Sequence, residues 1–427
     1  MTTKQFRTVE QVVSWRLCTG CGACVSACPE NNIQLIDVLD QGIRPIANSA
    51  KCQKCGECIK VCPGIEVSHQ PFNSEIIPEL CQAWGPVLEV WEGYATDPEI
   101  RYKSSSGGAA TALALFCMEE ENFSGVLHIG AKSEAPLQNV PVFSKSREEL
   151  LAYTGSRYSP AAVCEKLNWI EKAKSNCVFI GKPCDIAALR KSQAVKPALD
   201  NKVGLAISIF CAGTPTSKGT LAVLKALKVE PEEVKEFRYR GCGWPGITTV
   251  EIKGGNGHEY QMNYEESWGG ILSNYVQLRC RLCPDSTGEF ADISCGDPWY
   301  REIEPDEPGW SLVLVRTERG WRILHGAMEA GYIELETTRP EVLPASQKPL
   351  IKKRQNLFGR LLAMRIMRIP VPHFEGFSLL SNWRDLSVSG KIRSIAGTFR
   401  RVFQRNWRRP LKVLNTIDFS VSRKNKK

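Results

Sequence analysis

The chain has 427 residues, of which 43% are hydrophobic and 24% charged, with 18 cysteines and a formal net charge of +9. This composition is ordinary for a soluble globular protein of more than one domain, and no apolar run approaches the ~20 residues that a membrane-spanning helix needs. Charge is uneven: residues 351–427 hold 19 Lys and Arg against 3 Asp and Glu, whereas the first 350 hold 36 against 43, so a mildly acidic body precedes a basic tail suited to an anionic surface.

The first predicted element is a cysteine repeat. Cys18-x2-Cys21-x2-Cys24-x3-Cys28-Pro29 recurs as Cys52-x2-Cys55-x2-Cys58-x3-Cys62-Pro63, every cysteine displaced by 34 positions. This is the ligand spacing of a bacterial-type ferredoxin with two [4Fe–4S] clusters, in which the fourth cysteine of each run serves the other cluster. The expected sets are Cys18, Cys21, Cys24 and Cys62, and Cys52, Cys55, Cys58 and Cys28. Structural zinc takes two Cys-x-x-Cys-type pairs rather than three cysteines plus a remote fourth. A disulfide framework belongs to short secreted chains, not to this length without a secretory signal. Free thiols and oxygen-labile clusters point to a reducing cytoplasm. The module is expected to occupy residues 1–75, followed by a linker over 76–90 marked by nearby Pro71 and by Pro78, Gly85 and Pro86.

The elements beyond it alternate in the α/β manner. Strands are predicted over 90–95, 125–130, 176–180, 203–210 and 311–317, and helices over 109–121, from 187, and over 320–330. A hairpin is predicted from 247–253 and 259–262, joined by the turn Gly254-Gly-Asn-Gly257. Three loops rich in Ser, Gly and Thr follow strands and contain Ser105, Ser106, Gly107 and Gly108; Gly155, Ser156 and Arg157; and Lys182. Backbone N–H groups in such turns hold phosphate oxygens, and Arg157 and Lys182 add positive charge. No GxGxxG is present, so a Rossmann site is not indicated. Taken together, the loops suggest a flavin nucleotide site.

The stretch from about Trp91 to Ala330 resembles the β-subunit family of coenzyme F-420 hydrogenases and dehydrogenases. The matching pieces include Lys103-Ser-Ser-Ser-Gly-Gly-Ala109, Gly155-Ser-Arg-Tyr158, Phe179-Ile-Gly-Lys-Pro-Cys-Asp185 and Ile209-Phe-Cys-Ala-Gly213. They continue with Tyr239-Arg-Gly-Cys-Gly-Trp-Pro-Gly246, Arg279-Cys-Arg-Leu-Cys-Pro-Asp285 and Ala291-Asp-Ile-Ser-Cys-Gly-Asp-Pro-Trp299. The resemblance implies an α/β (α+β) flavin-binding body, with a family N-terminal region over 91–170 and a C-terminal FAD and iron–sulfur region over 171–350. It implies FAD, electron transfer between clusters and flavin, and hydride exchange with a deazaflavin or another organic acceptor. It also implies a third [4Fe–4S] cluster built on Cys280 and Cys283. Cys184 and Cys211 are the candidates for its remaining ligands, with Cys242 and Cys295 as alternatives to either. This chain has Cys211-Ala-Gly213 where the family often has Cys-His-Gly.

No residue stands out as an acid–base catalyst, and Asp185, Asp285, Asp297 and the five histidines read as structural. The tail, residues 351–427, contains an amphipathic helix over 390–409, with Ile392, Ile395, Ala396, Phe399, Val402, Phe403 and Trp407 at helical spacing among arginines. Three fates compete for that stripe: packing on the body, peripheral contact with an anionic membrane, and docking of an acidic electron-carrier protein. Nucleic acid is not indicated, since no binding module accompanies the charge. The expected function is a cytoplasmic iron–sulfur flavoprotein oxidoreductase. The alternatives are a non-catalytic electron-transfer subunit docking a partner enzyme, and a redox sensor or assembly protein.

Overall fold

The computed structural model describes residues 6–411 apart from 49, 70–74, 256 and 304–306. Its first helix, Val9–Ser14, starts in a capping box in which Thr8 and Gln11 each satisfy the other's backbone N–H. Each cysteine loop turns into a short helix through a left-handed glycine: Gly22, at φ 87°, before Ala23–Ala27, and Gly56, at φ 81°, before Glu57–Lys60. A residue without Cβ takes this conformation freely. Between the loops, β1 (Ile33–Val38) and β2 (Gly42–Ala47) pair antiparallel, and β3 (Glu66–Ser68) leads out of the module.

The segment expected to be a linker is packed structure. Helix Pro78–Trp84 occupies half of it, and Leu80 and Trp84, one turn apart, are buried with Val87 and Val90 against Leu312, Leu314 and Leu343. The residues that suggested a loose connection punctuate this helix, Pro78 at its first position and Gly85 just past its end. Pro71 lies outside the described residues.

The body continues with β4 (Glu89–Ala95), β5 (Val126–Lys132), β6 (Ala135–Ser144), β7 (Cys177–Gly181) and β8 (Val203–Ile209). Then come β9 (Val234–Arg238), β10 (Thr248–Ile252), β11 (Glu259–Met262), β12 (Ile293–Gly296), β13 (Ser311–Val315) and β14 (Ile333–Thr337). The large sheet has the order β14-β4-β13-β12-β8-β7-β5-β6. Its centre, β12-β8-β7-β5, is parallel; β6 pairs antiparallel on one side, and β13, β4 and β14 do so in turn on the other. The fold is thus mixed α/β. β9, β10 and β11 form a separate antiparallel sheet whose β10–β11 hairpin is the one expected from Gly254 and Gly257.

Parallel strands covered on both faces are apolar throughout, and these are. Val178, Leu205 and Ile207 face a core shared with helices Ala109–Glu119 and Glu318–Glu329. The alternate residues Cys177, Phe179 and Ala206 face a second core shared with helix Pro183–Gln193 and with Cys21, Ala23 and Ala27 of the cysteine module. That helix begins at Pro183, four residues before the predicted start. Proline is preorganised for a first helical position, and Asp185, two residues on, accepts the Lys182 N–H at 3.0 Å.

The basic tail is mostly a clamp. Leu357, Leu361, Met364, Val402 and Trp407 pack with Val12, Leu17 and Ile65 of the module and Leu282 of the body. β15 (His373–Glu375) pairs parallel with β3, and the Leu411 N–H donates to Ser14 O at 2.8 Å. The predicted amphipathic helix exists as Val388–Gln404. Its packed line, however, is Ser394, Thr398 and Val402, while Ile392, Ala396 and Phe403 face outward. A close helix–helix crossing explains the inversion. A Cβ on Gly359 would fall 2.0 Å from Ser394 Oγ, so only small side chains fit at this crossing. Residues 412–427 of the tail lie outside the described set.

Candidate functional site

The central strands end along one edge of the sheet, and the loops after them ring a cavity of about 270 Å³. Ligands of open α/β sheets bind outside these carboxyl ends. Ile180 and Gly181 end β7 and Lys182 follows it, Ile209 ends β8 and the segment from Phe210 to Thr214 follows, and Cys295, Gly296 and Asp297 close β12.

The three loops singled out from the sequence meet here. Ser105 Oγ accepts the Ser156 N–H at 2.7 Å, tying the first loop to the second. Ser106 bonds Ser311 Oγ at 3.2 Å. Gly108 and Gly155 line the cavity. Gly107 does not: it is closed against the Gly93 carbonyl and the Ser311 N–H, at 2.6 and 2.7 Å from where a Cβ would sit. Arg157 also lines the wall, but its guanidinium donates to Asn139 Oδ1, to Phe237 O at 3.0 Å and to Pro136 O at 2.7 Å. It therefore braces the second loop from beneath. Lys182 Nζ donates to Asp185 Oδ2 at 2.6 Å. Burial alone would depress the Lys182 ammonium; Asp185 and the Cys184 and Cys211 sulfurs hold it above the usual lysine range instead.

Several wall residues were missed by the sequence reading. Arg240 grips Asp297 with both terminal nitrogens and lies 5.0 Å from the ring centroids of Tyr264 and Trp299, which stack at 5.3 Å. Trp268 joins them from a π-helical turn, Glu265–Ile271, a geometry frequent at functional sites. Arg240 and Trp299 stood inside the quoted motifs, whereas Tyr264 and Trp268 carried no local signal. His128, also on the wall, is buried and bonds Ser144 Oγ at 2.8 Å, and burial lowers it to about 4.

These residues fit a flavin nucleotide. Helix Ala109–Glu119 opens its N-terminus on the cavity through Gly108, Ala109 and Ala110, an end that favours phosphate. Ser104 Oγ and Asp185 Oδ1 are buried on the wall without a protein partner. The stacked aromatics offer faces to a planar ring system.

The cysteines fall into three neighbourhoods. Burial, then the charges of Cys21, Cys18 and Cys62, push Cys24 well above the usual thiol range, and burial with Cys21 and Cys18 pushes Cys62 to about 12. Burial followed by Cys55, Cys52 and Cys28 pushes Cys58 to about 11. In the body, burial and Cys280, with Cys283 further down, push Cys211 to about 12, and Cys184 is raised by burial, Asp185, Cys211 and Cys280. Cys211 alone of these four lines the cavity. Thiols raised in this way become ligands only when a metal displaces the proton. The groups are looser than a single-ion site: among the described residues, no three His, Cys, Asp or Glu side chains close on one ion. A cubane instead takes its thiolates on separate corners of a larger core. Cys295 is buried at the end of β12, raised to about 12 by burial alone, and Cys242 sits half-buried in the Tyr239–Gly246 loop.

Module and body are tied beside these groups. Arg279, the residue before Cys280, donates to Pro63 O at 2.9 Å and Gly64 O at 3.3 Å, one and two residues after Cys62. Arg44, whose charge reaches Cys18, donates to Gln277 Oε1 at 2.9 Å.

A cysteine-rich module docked to a mixed sheet, with a ligand cavity at its strand ends, defines an iron–sulfur redox protein. A 4Fe-4S dicluster domain matches residues 17–64. The N-terminal and C-terminal regions of the coenzyme F420 hydrogenase/dehydrogenase β subunit match residues 90–168 and 174–341. The chain belongs to that β-subunit family. It is 26% identical over 294 residues to the coenzyme F420 hydrogenase subunit beta of Methanococcus voltae, covering 65% of this chain and 95% of the relative. An uncharacterized protein of Methanocaldococcus jannaschii is 26% identical over 372 residues, 81% of this chain and 97% of its own. Among solved structures, a chain of the F420-reducing [NiFe] hydrogenase complex from Methanosarcina barkeri superposes with TM-score 0.51. It is 24% identical and covers 67% of this chain and 95% of its own, which supports the fold. No helix among the described residues is long and apolar enough to cross a membrane.

Proposed function

We propose that this chain is an FAD-containing iron–sulfur oxidoreductase that carries electrons between its clusters and a deazaflavin-like or other organic acceptor. The observation that carries the reading is the position of Cys211, at once on the cavity wall and among Cys184, Cys280 and Cys283. Cys18, Cys21, Cys24 and Cys62 would hold one [4Fe–4S] cluster, Cys52, Cys55, Cys58 and Cys28 a second, and the four body cysteines a third. FAD, when bound, supplies the conversion between single-electron and hydride chemistry.

The chain's own groups do the rest. Ser105, Ser106, Gly108, Gly155, Ser156 and Lys182, with the N-terminus of helix Ala109–Glu119, would hold the nucleotide, and Arg157 positions their loops. Gly107, closed against β4, serves the close approach of loop to sheet. Tyr264, Trp268 and Trp299 shield the cavity from water and present ring faces to planar ligands. Arg279 fixes the module against the body beside Cys280. The names of relatives as F420 hydrogenase and F420-dependent formate dehydrogenase β subunits support a deazaflavin acceptor and a redox partner subunit.

The test is anaerobic purification followed by iron, sulfide and flavin analysis. Stoichiometric FAD is expected with about twelve irons per chain, falling to about eight in the Cys280→Ser/Cys283→Ser variant, four per cubane. Unchanged iron in that variant would sink the third cluster. Full iron with no flavin, even after reconstitution with FAD, would favour a relay subunit without its own acceptor, a reading that the exposure of Cys52 and Cys55 supports.

A further inference from the structure

We propose that helix Val388–Gln404 is a docking surface for an anionic lipid membrane, with its apolar stripe entering the headgroup boundary. It lies beyond residue 341, where the match to the β-subunit family ends, and takes no part in the cavity.

The helix is built inside out for a soluble protein. It buries Ser394, Thr398 and Val402 and exposes Val388 (72%), Ile392 (61%), Ala396 and Phe403 (62%), with Phe399 half-exposed between them. At 3.6 residues per turn these five outward residues share about 80° of arc, a continuous ridge about 25 Å long. Such a stripe has no stability reason to face water: the side chains that would strengthen packing are outside, and hydroxyls are inside. The crossing with Gly359 accounts for the small inward residues. It does not account for large apolar ones opposite solvent, where Lys, Glu or Gln would serve.

The charges select the occupant. Residues 386–411 contain seven Lys and Arg and no Asp or Glu. Arg393 and Arg400 follow the free edge of the ridge, and Arg408 lies 5.8 Å over the Phe403 ring at its end; on the packed side Lys391 lies 5.8 Å over the Trp383 ring. Apolar side chains standing proud, rimmed along the free edge by cations with long aliphatic stems, form the profile of a helix lying in a membrane interface. Each basic residue near an anionic leaflet adds attraction, and the ridge adds the apolar term that charge alone lacks. A protein groove would need acidic walls around an apolar floor. A membrane supplies both terms over any length.

The experiment uses the full, cluster-loaded protein and vesicles of phosphatidylcholine with or without about 30% phosphatidylglycerol, the anionic component. Flotation is expected to carry the protein with the anionic vesicles only, and less of it at about 0.5 M salt, where screening is strong. Ile392→Glu/Phe403→Glu, on exposed positions, should keep its iron content and visible absorption yet bind anionic vesicles at least about tenfold more weakly. Arg393→Ala/Arg400→Ala should weaken binding less and flatten its salt dependence. Absence of the iron-replete protein from anionic vesicles would overturn the proposal. So would equal binding by the Glu variant, or self-association abolished by that variant without vesicle binding, which would make a second copy the occupant. None of these readouts requires flavin, so they stand apart from the fate of the proposed oxidoreductase activity.

Discussion

The first cysteine loop, Cys18 to Cys28, and the second, Cys52 to Cys62, share spacing but not surroundings. Gly22 and Gly56 are equivalent and equally left-handed, yet a Cβ on Gly22 would meet Glu165 N at 2.8 Å, and one on Gly56 meets nothing within 4 Å. Cys21 is buried and its carbonyl accepts the Cys164 N–H at 2.9 Å, while its counterpart Cys55 is exposed. Where the first loop has Gly20, on which a Cβ would fall 3.0 Å from Ile43 O, the second tolerates Lys54 in the same left-handed region. A repeat thus sets ligand chemistry twice. What it does not set is burial, which comes from residues about 140 positions away and which, with hydrogen bonding to sulfur, tunes cluster potentials. The first loop is sealed against the body, and the second faces outward.

Several measurements would break or sharpen this contrast. Alanine at Gly22 should cost about 3 to 5 kcal/mol, a left-handed Cβ plus a backbone clash, and alanine at Gly56 only about 1 kcal/mol. Thermal unfolding of the two variants compares them directly, and equal losses would erase the distinction. Mild acid should separate module from body in the same way. The chain up to Cys62 has no histidine, whereas His128 in the body is buried and lowered to about 4. A histidine depressed in the folded state stabilises above its unfolded pKa near 6.5, and that contribution fades as pH falls toward 4. Between pH 7 and pH 5 the loss is about 2 kcal/mol, and His128→Gln should lack that slope in denaturant titrations. The smallest effect is one of order. On brief air exposure, Cys52 and Cys55 should take up iodoacetamide before Cys18 and Cys21, with the outer four irons released first. Simultaneous labelling would show that the seal around Cys21 is ineffective.

Much of this was legible in the sequence for identifiable reasons. The cysteine spacing is a covalent-scale constraint, and apolar runs such as 203–209 admit little but a buried strand. Ser105, Ser156 and Lys182 were found as turn chemistry and are brought to one cavity. The misses share a cause. Helix Pro78–Trp84 read as a linker because proline and glycine punctuate a short helix and a loose connection alike, and only Leu312 and Leu314, far along the chain, show that Trp84 is core. Tyr264 and Trp268 have no local pattern, and the cavity wall they form depends on the placement of β11. The inward face of Val388–Gln404 could not be read from periodicity, since Gly359 decides it.

The pairing of β15 with β3 joins residues some three hundred positions apart, and Arg16 reaches the Arg409 carbonyl at 3.0 Å. During synthesis the cysteine loops emerge well before the strand and helices that hold them to the body. Over some three hundred residues of synthesis the module therefore lacks the strand and helices that pack against it. The contacts that hold the module are complete only once residues 373–411 have been made.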